Sequence, residues 1–286
     1  MSRFRPIWPA ALAEMETTFA FSLALSALVG FSLGVFGGGG SILAVPILVY
    51  VTHIAPSQAV GISLAIVGGT SLTASYAHHR KGRVRVRVAL LFGGSGIATA
   101  FLAARLTHLV TGSFLMISFA TLMLVVGIAM LVSARGAKAD EDDAPSRRPQ
   151  PIPAVLAGAG VGAVTGFLGV GGGFLVVPAL IAFTGLGMRE AVGTSLLVIA
   201  INSAAGFIGH LEVDGLNLGL VVPFTVAAVI GGVVGERTAR SLSLAKLRGG
   251  FALFVIAVGV VVAVLAFTGA RAASLSSVAE SRVAEA

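Results

Sequence analysis

Two glycine runs in apolar parts of the chain carry the residues whose types and spacing could do chemistry. The first run, GVFGGGGSILAVP, extends from Gly34 to Pro46, and the second, GFLGVGGGFLVVP, extends from Gly166 to Pro178. Glycine weakens a helix and proline ends or kinks one, so each run predicts a helix break followed by a new helix. Because a helix N-terminus attracts anions through its dipole and its N–H groups, the two runs predict a binding site for one small anion.

Close packing of helices is the other interpretation of glycines at this spacing. The occurrence of two copies favours the binding site over packing. The predicted anion-binding positions in the two runs are Gly37, Gly38, Gly39, Gly40, Ser41, Gly169, Gly171, Gly172 and Gly173, with Pro46 and Pro178 in structural roles.

Further polar residues lie within matching apolar segments, AVGISLAIVGGTS at 59–71 and AVGTSLLVIAINS at 191–203. We expect those that face the centre to contact the anion, with the second half contributing more, because Ile62 stands where the other copy has Thr194. Asn202 is the costliest of them to bury, so it is the strongest single candidate, with a helix-to-helix hydrogen bond as its alternative role. The predicted positions are Ser63, Ser71, Thr194, Ser195, Asn202 and Ser203.

Titratable side chains are few in these segments. His78 and His210 end the matched segments and are predicted to gate the anion or to carry a coupling proton, unless they are ordinary interfacial residues. Glu190 follows Arg189 at a predicted helix start, where it suits a capping role. We expect no buried Asp or Glu, no metal site and no cofactor, and the absence of cysteine excludes disulfides and thiolate chemistry.

The two runs belong to an internal repeat. Their prolines are 178 − 46 = 132 residues apart, and this register holds without a gap from Gly34–His78 to Gly166–His210, with 16 of 45 pairs identical. Farther along the chain the segments 96–105 and 231–240 match after a shift of register.

The composition predicts a membrane protein. Hydrophobic residues make up 56% of the 286 residues and charged residues 11%, against about 25% charged in a soluble domain. Apolar stretches of roughly 20 residues, which is the length that spans a bilayer, occur at 17–35, 57–78, 84–104, 111–133, 190–210, 216–235 and 250–269.

Basic residues lie in short connections, which is typical of the cytoplasmic side of a membrane protein and not of a nucleic-acid site. The connection 79–87 holds five Lys or Arg, while its counterpart after His210 holds none. The next pair reverses the contrast, with four in 237–248. Equivalent loops on opposite sides indicate inverted topology. The loops 79–87, 134–150 and 237–248 are therefore predicted to be cytoplasmic.

The predicted fold is an all-α polytopic membrane protein with two inverted-topology repeats of about five hydrophobic segments each. In each repeat the glycine-broken segment forms either a short helix or a re-entrant hairpin, at 17–53 and 151–185. The predicted parts are an N-terminal tail 1–16, repeat one 17–133, a charged linker 134–150, repeat two 151–269 and a C-terminal tail 270–286.

The glycine–proline runs, the AVG(T)S elements and the endings at 96–105 and 231–240 together resemble the sulfite exporter TauE/SafE family over about residues 20–268. The resemblance implies a secondary transporter in the cell membrane, not an enzyme, that moves a small inorganic or organosulfur anion such as sulfite, thiosulfate or an organosulfonate. An anion channel and a haem-binding redox subunit remain as alternatives. The partners implied are the anion and the lipid bilayer, without nucleic acid, and both a monomer and a homo-oligomer fit the sequence.

Overall fold

A computed structural model of the chain describes residues 8–38, 40–50, 56–106, 110, 112–136, 151–168, 173–214, 218–243 and 245–264. Within these ranges the regular structure is entirely helical, as predicted. The first half contains α1 (Trp8–Phe36), α2 (Ser41–Tyr50), α3 (Pro56–His79), α4 (Val86–Ala104) and α5 (Gly112–Gly136). The second half contains α6 (Pro151–Leu168), α7 (Gly173–Thr184), α8 (Met188–Asp214), α9 (Leu218–Ser241) and α10 (Ala245–Val264).

Among the described residues, seven helices are long and apolar enough to cross a bilayer, namely α3, α4, α5, α6, α8, α9 and α10. Large hydrophobic side chains such as Phe101, Leu102 and Phe183 are exposed on the outside of the bundle. A soluble protein rarely leaves so much apolar surface in water, so this surface suits lipid. The chain is a multi-pass membrane protein.

The two helices that follow the glycine runs are short. Helix α2 has 10 residues and α7 has 12, which correspond to about 15 Å and 18 Å at 1.5 Å per residue. A hydrocarbon core is about 30 Å thick, so neither helix can cross it alone. Pro178 lies inside α7.

Helices α6 and α7 form a hairpin whose two ends lie at one face of the bundle. Pro151, at the start of α6, lies beside residues 84–88 at the start of α4. Just beyond the end of α7, Glu190 accepts a hydrogen bond of 2.7 Å from Arg85. This placement of both ends at one face is compatible with the re-entrant arrangement for 151–185, which stays a prediction.

Two helix ends do not coincide with the predicted boundaries of the parts, which stay a prediction. Helix α1 begins at Trp8, nine residues before the predicted start of repeat one at residue 17, and α5 reaches Gly136, inside the predicted linker 134–150. The remainder of the linker and the tail 270–286 lie outside the described residues.

The first helix of each half packs along a helix of the other half. Helix α1 packs along α9, and its counterpart α6 packs along α4. Both contacts depend on glycine, because a Cβ at Gly30 would overlap the carbonyl oxygen of Ala228 and a Cβ at Gly162 would overlap that of Gly96. Such contacts between small residues let helix backbones approach in a membrane.

The same contacts correct the alignment of the later helices. Gly30 and Gly162 are 132 residues apart, and so are their neighbours Gly96 and Ala228. The register of 132 therefore continues through α4 and α9. The match of 96–105 with 231–240 is shifted by 135 residues, so it is wrong by three.

The equivalent helices α3 and α8 run antiparallel through the middle of the bundle. A Cβ at Gly206 would lie 3.1 Å from Leu64 Cδ1, and one at Gly193, near the other end of α8, would lie 3.0 Å from His78 Cβ. Antiparallel counterparts are compatible with inverted topology, which stays a prediction together with the orientation of the chain in the membrane.

Aromatic rings attach the last helix of each half to the glycine-broken hairpin of the other half. Phe36, at the end of α1, lies 5.8 Å from Phe251 and 5.7 Å from Phe254 of α10, measured between ring centroids. Phe119 of α5, in the first half, likewise meets Phe174 of α7, in the second half, edge to face at 5.6 Å. These contacts hold both hairpins against the bundle.

Candidate functional site

The N-termini of the two short helices meet. Ser41 and Gly173 begin α2 and α7 and occupy equivalent positions, because 41 + 132 = 173. A Cβ at Gly173 would lie 2.5 Å from Ser41 Oγ and 3.1 Å from the carbonyl oxygen of Gly38. The Ser41 hydroxyl donates to that same carbonyl at 2.8 Å. We call this contact of Gly38 and Ser41 with Gly173 the glycine junction.

The turn before the junction is fixed by helix α8. Gly37 has φ +76°, a left-handed conformation that favours glycine, and it is buried against Val192. Ser195 donates a hydrogen bond of 2.7 Å to the carbonyl of Gly37. Gly40 packs in turn against Leu33 of α1. Ser195 therefore holds the glycine turn in place, and its predicted contact with an anion has no separate support.

A cavity of about 390 Å³ lies beside the junction, between α4, α6, α7 and α8. Three of the predicted site residues line it: Gly173, Asn202 and Ser203. Asn202 is exposed to this space, and its Oδ1 lies 3.6 Å from the position of a Cβ at Gly93. Thr165, which sequence reasoning missed, lines the same cavity.

The equivalent space in the other half is filled. Thr70 is the counterpart of Asn202, because 70 + 132 = 202, and it is only 1% exposed. Its Cγ2 lies 2.7 Å from the position of a Cβ at Gly232 of α9, so α3 packs closely on α9 there. Among the described residues, the space beside Asn202 on α8 is thus open, while the equivalent position on α3 is closely packed.

Other predicted residues have local roles in the structure. The Ser63 hydroxyl donates to the carbonyl of Val60 in its own helix at 2.8 Å. Thr194 is buried and accepts a hydrogen bond of 3.1 Å from the backbone N–H of Arg85, which begins α4. Ser71 is fully buried and does not line the cavity. The described polar side chains that line the cavity come from the second half, and Thr194 is not among them, while the expected contacts with an anion stay a prediction.

Part of the prediction falls on residues that the structure does not describe. Gly39, Gly169, Gly171 and Gly172 lie outside the described residues, as do the side chains of Pro46 and His210. Their predicted roles stay predictions.

His78 lies at the face of the bundle that carries the basic loop 79–87. It is buried and packs against Gly193 of α8, and its carbonyl accepts backbone N–H groups from Lys81 and Arg83 at 3.1 Å. Beside it lies Glu236 of α9, which forms an ion pair with Lys81.

The burial of Glu236 overturns the expectation that no Asp or Glu is buried, because its residue is only 3% exposed. A signal for this was present in the sequence. Glu236 lies within the apolar span Gly219–Ala239, and the positive-inside pattern places the end of that span at the same face as the basic loop 79–87. Within the described ranges, no three His, Asp or Glu side chains group together as metal ligands would.

Comparison with known proteins finds a family match over most of the chain. The model of the family described as Sulfite exporter TauE/SafE matches residues 22–262. A probable membrane transporter protein of Xylella fastidiosa (strain Temecula1 / ATCC 700964) is 37% identical over 239 residues, covering 82% of this chain and 91% of that protein. The probable membrane transporter protein YdhB of Bacillus subtilis (strain 168) is 29% identical over 210 residues, covering 73% and 86%.

Proposed function

We propose that this protein moves a small sulfur-containing anion across the cell membrane by alternating access. The proposal starts from the finding that the chain belongs to the sulfite exporter TauE/SafE family and is a membrane transporter. Sulfite, thiosulfate and organosulfonates are the proposed substrates. The observation that carries the proposal is the glycine junction, where two short helices bring their N-termini together beside a cavity.

The junction is suited to an anion. The N–H groups in the first turn of a helix lack intrahelical carbonyl partners, and the helix dipole adds partial positive charge at the same end. Two helices, α2 and α7, contribute such an end at equivalent positions. Broken helices that direct their N-termini at the membrane midplane are a recurrent way for transporters to bind anionic groups.

The cavity supplies access from one side and a polar contact. Asn202 and Ser203 line it together with Gly173, so an anion at the junction would meet an amide N–H donor and a hydroxyl. A volume of about 390 Å³ accommodates an oxyanion of a few heavy atoms together with water.

Alternating access is favoured over an open channel by the unequal halves. The position that matches Asn202 is closely packed, where Thr70 lies against Gly232, and this asymmetry supports a junction that opens to one side at a time. In a transporter with inverted repeats, the opposite state arises when the two halves exchange their conformations. We propose accordingly that Thr70 is released from α9 in that state while Asn202 becomes buried. The proposal includes no catalytic step, and it places the basic loops 79–87, 134–150 and 237–248 in the cytoplasm.

Uptake by proteoliposomes tests the proposal. The purified protein should accumulate radiolabelled thiosulfate or sulfite, with saturable kinetics and with counterflow against unlabelled anion. Asn202→Ala should raise the half-saturation concentration at least about tenfold, because one hydrogen bond to a charged group contributes about 1.5–3 kcal/mol. Thr121→Ala is the control, since its hydroxyl is exposed and bonds only within α5. Absence of counterflow for every sulfur anion, in protein that remains folded, would remove the proposed function.

A further inference from the structure

A second group of charged side chains lies apart from the cavity, at the basic-loop face. It surrounds a small cavity of about 20 Å³ where the end of α3, the start of α8 and the last turns of α9 meet. The residues that line this cavity are His78, Arg83, Arg189, Val192, Glu236 and Ala239.

The group carries more positive than negative charge. Glu236 is almost fully buried, and its carboxylate is ion-paired with Lys81, which comes from the loop after α3. Arg83 and Arg189 line the same cavity as Glu236, so two arginines share this space with a carboxylate that Lys81 already pairs with. A buried carboxylate is stable only where such partners offset its lost hydration. The excess of cations could equally hold an anion that is not part of the chain.

The charges are not a consequence of the repeat. The positions 132 residues away from Lys81, Arg83 and Glu236 are Val213, Gly215 and Ala104, none of which is charged. The bundle can therefore be built at its other face without an equivalent group. The charged group is therefore specific to the face that carries the basic loop.

The charged group is connected to the glycine turn through one residue, Val192. Val192 lines the small cavity, and the same residue packs on Gly37, with its Cα 3.0 Å from the position of a Cβ there. An anion leaving the junction toward the basic-loop face would pass Val192 and meet Arg83 and Arg189. Glu236 lies in that path when this face is closed.

We propose that Lys81, Arg83 and Arg189 form a second binding site for a small oxyanion, which the Glu236 carboxylate occupies while the basic-loop face is closed. When this face opens, the transported anion takes the place of the carboxylate. Guanidinium groups bind the paired oxygens of sulfonate or sulfate as they bind those of a carboxylate, which is why one group can substitute for the other. This inference rests on the proposed function for the class of its ligand.

Cysteine labelling tests the exchange directly, because the chain contains no cysteine of its own. Ala239→Cys places one thiol in the lining of the small cavity. In this background Glu236→Gln should raise the rate of labelling by a hydrophilic maleimide at least tenfold, and sodium sulfate should slow it again. Sodium gluconate at equal ionic strength is the salt control. With Glu236 intact, labelling should be slow and insensitive to sulfate.

Glu190→Gln is the matched control variant. Glu190 also pairs with an arginine at this face, with 2.7 Å between Arg85 Nη2 and Glu190 Oε1, but it does not line the small cavity. It should leave the labelling rate unchanged. If Glu236→Gln does not fold, Glu236→Asp keeps the charge but withdraws the carboxylate, and labelling should then be intermediate and slowed by sulfate.

Labelling of the Glu236 variants that matches the parent rate, or that sulfate does not slow, would overturn the second site. These measurements use purified protein and need no transport. Protection by sulfate without transport of any sulfur anion would therefore remove the proposed substrate and leave the site. Transport of a sulfur anion without protection of the thiol by sulfate would remove the second site and leave the proposed substrate.

Discussion

Gly173→Ser should destabilise the protein, and adding Ser41→Gly should restore most of the loss. A Cβ at position 173 would lie 2.5 Å from Ser41 Oγ, 3.1 Å from the Gly38 carbonyl oxygen and 3.2 Å from Ile199 Cδ1. The double variant exchanges the residues of two equivalent positions, so the junction contains the same atoms as before.

The size of the effect follows from these distances. Ordinary contacts of a Cβ begin near 3.4 Å, so α7 and α2 must separate by up to about 1 Å, or Ser41 must abandon its hydrogen bond to Gly38. Overfilling a packed contact costs typically 1–3 kcal/mol. At roughly 2–4 °C per kcal/mol for a chain of this length, a cost of about 2 kcal/mol lowers the apparent Tm by about 4–8 °C.

Thermal melting in detergent, followed by the fraction of protein that stays monodisperse, measures this change. Gly160→Ser is the matched control, because it makes the same substitution in α6 where nothing lies within 4 Å of the new Cβ. Proteoliposome uptake of the single variant should fall with its stability and recover in the double variant. If Gly173→Ser melts like the parent, or if Ser41→Gly does not improve it, the two helix N-termini are not in contact and the reasoning fails.

Three further substitutions test contacts around the site. Thr194→Val removes the acceptor of the Arg85 N–H and should cost about 1–3 kcal/mol in thermal melts, while Thr194→Ser should cost much less; equal losses would contradict the hydrogen bond. Phe36→Ala removes the ring that packs on Phe251, so a loss of about 3 kcal/mol is expected, and a melt like that of the parent would show that α10 is held elsewhere. Glu190→Gln breaks a partly exposed ion pair and should change stability by less than about 1 kcal/mol; a larger loss would mean that the pair is more buried than it is here.

Local composition determined the class of fold. Apolar stretches of bilayer length, basic connections and the interval of 132 residues are properties of the linear chain, and they predicted a helical membrane protein made of two halves. The two helix breaks were equally readable, since glycine and proline act on the backbone where they stand. Even the shortness of α2 and α7 follows from the spacing between a glycine run and the next turn.

The environment of each polar residue could not be read in this way. Thr70 and Asn202 occupy equivalent positions, yet one is buried against α9 and the other lines the cavity. The difference arises from how far α3 and α8 stand from their neighbours, and this depends on the conformation of the whole bundle. Thr194 similarly looked like a residue of the centre until the start of α4 was found packed on it.

The burial of a charged residue, Glu236, likewise could not be predicted from the sequence alone. Its place near the end of an apolar span was in the sequence, but its burial required Lys81, 155 positions away in the chain, to fold back over it. Sequence alone thus determined which segments enter the membrane and where their helices break, because those depend on neighbouring residues. Only the tertiary structure decided which polar groups share a space, because burial and pairing depend on contacts between helices distant in the chain.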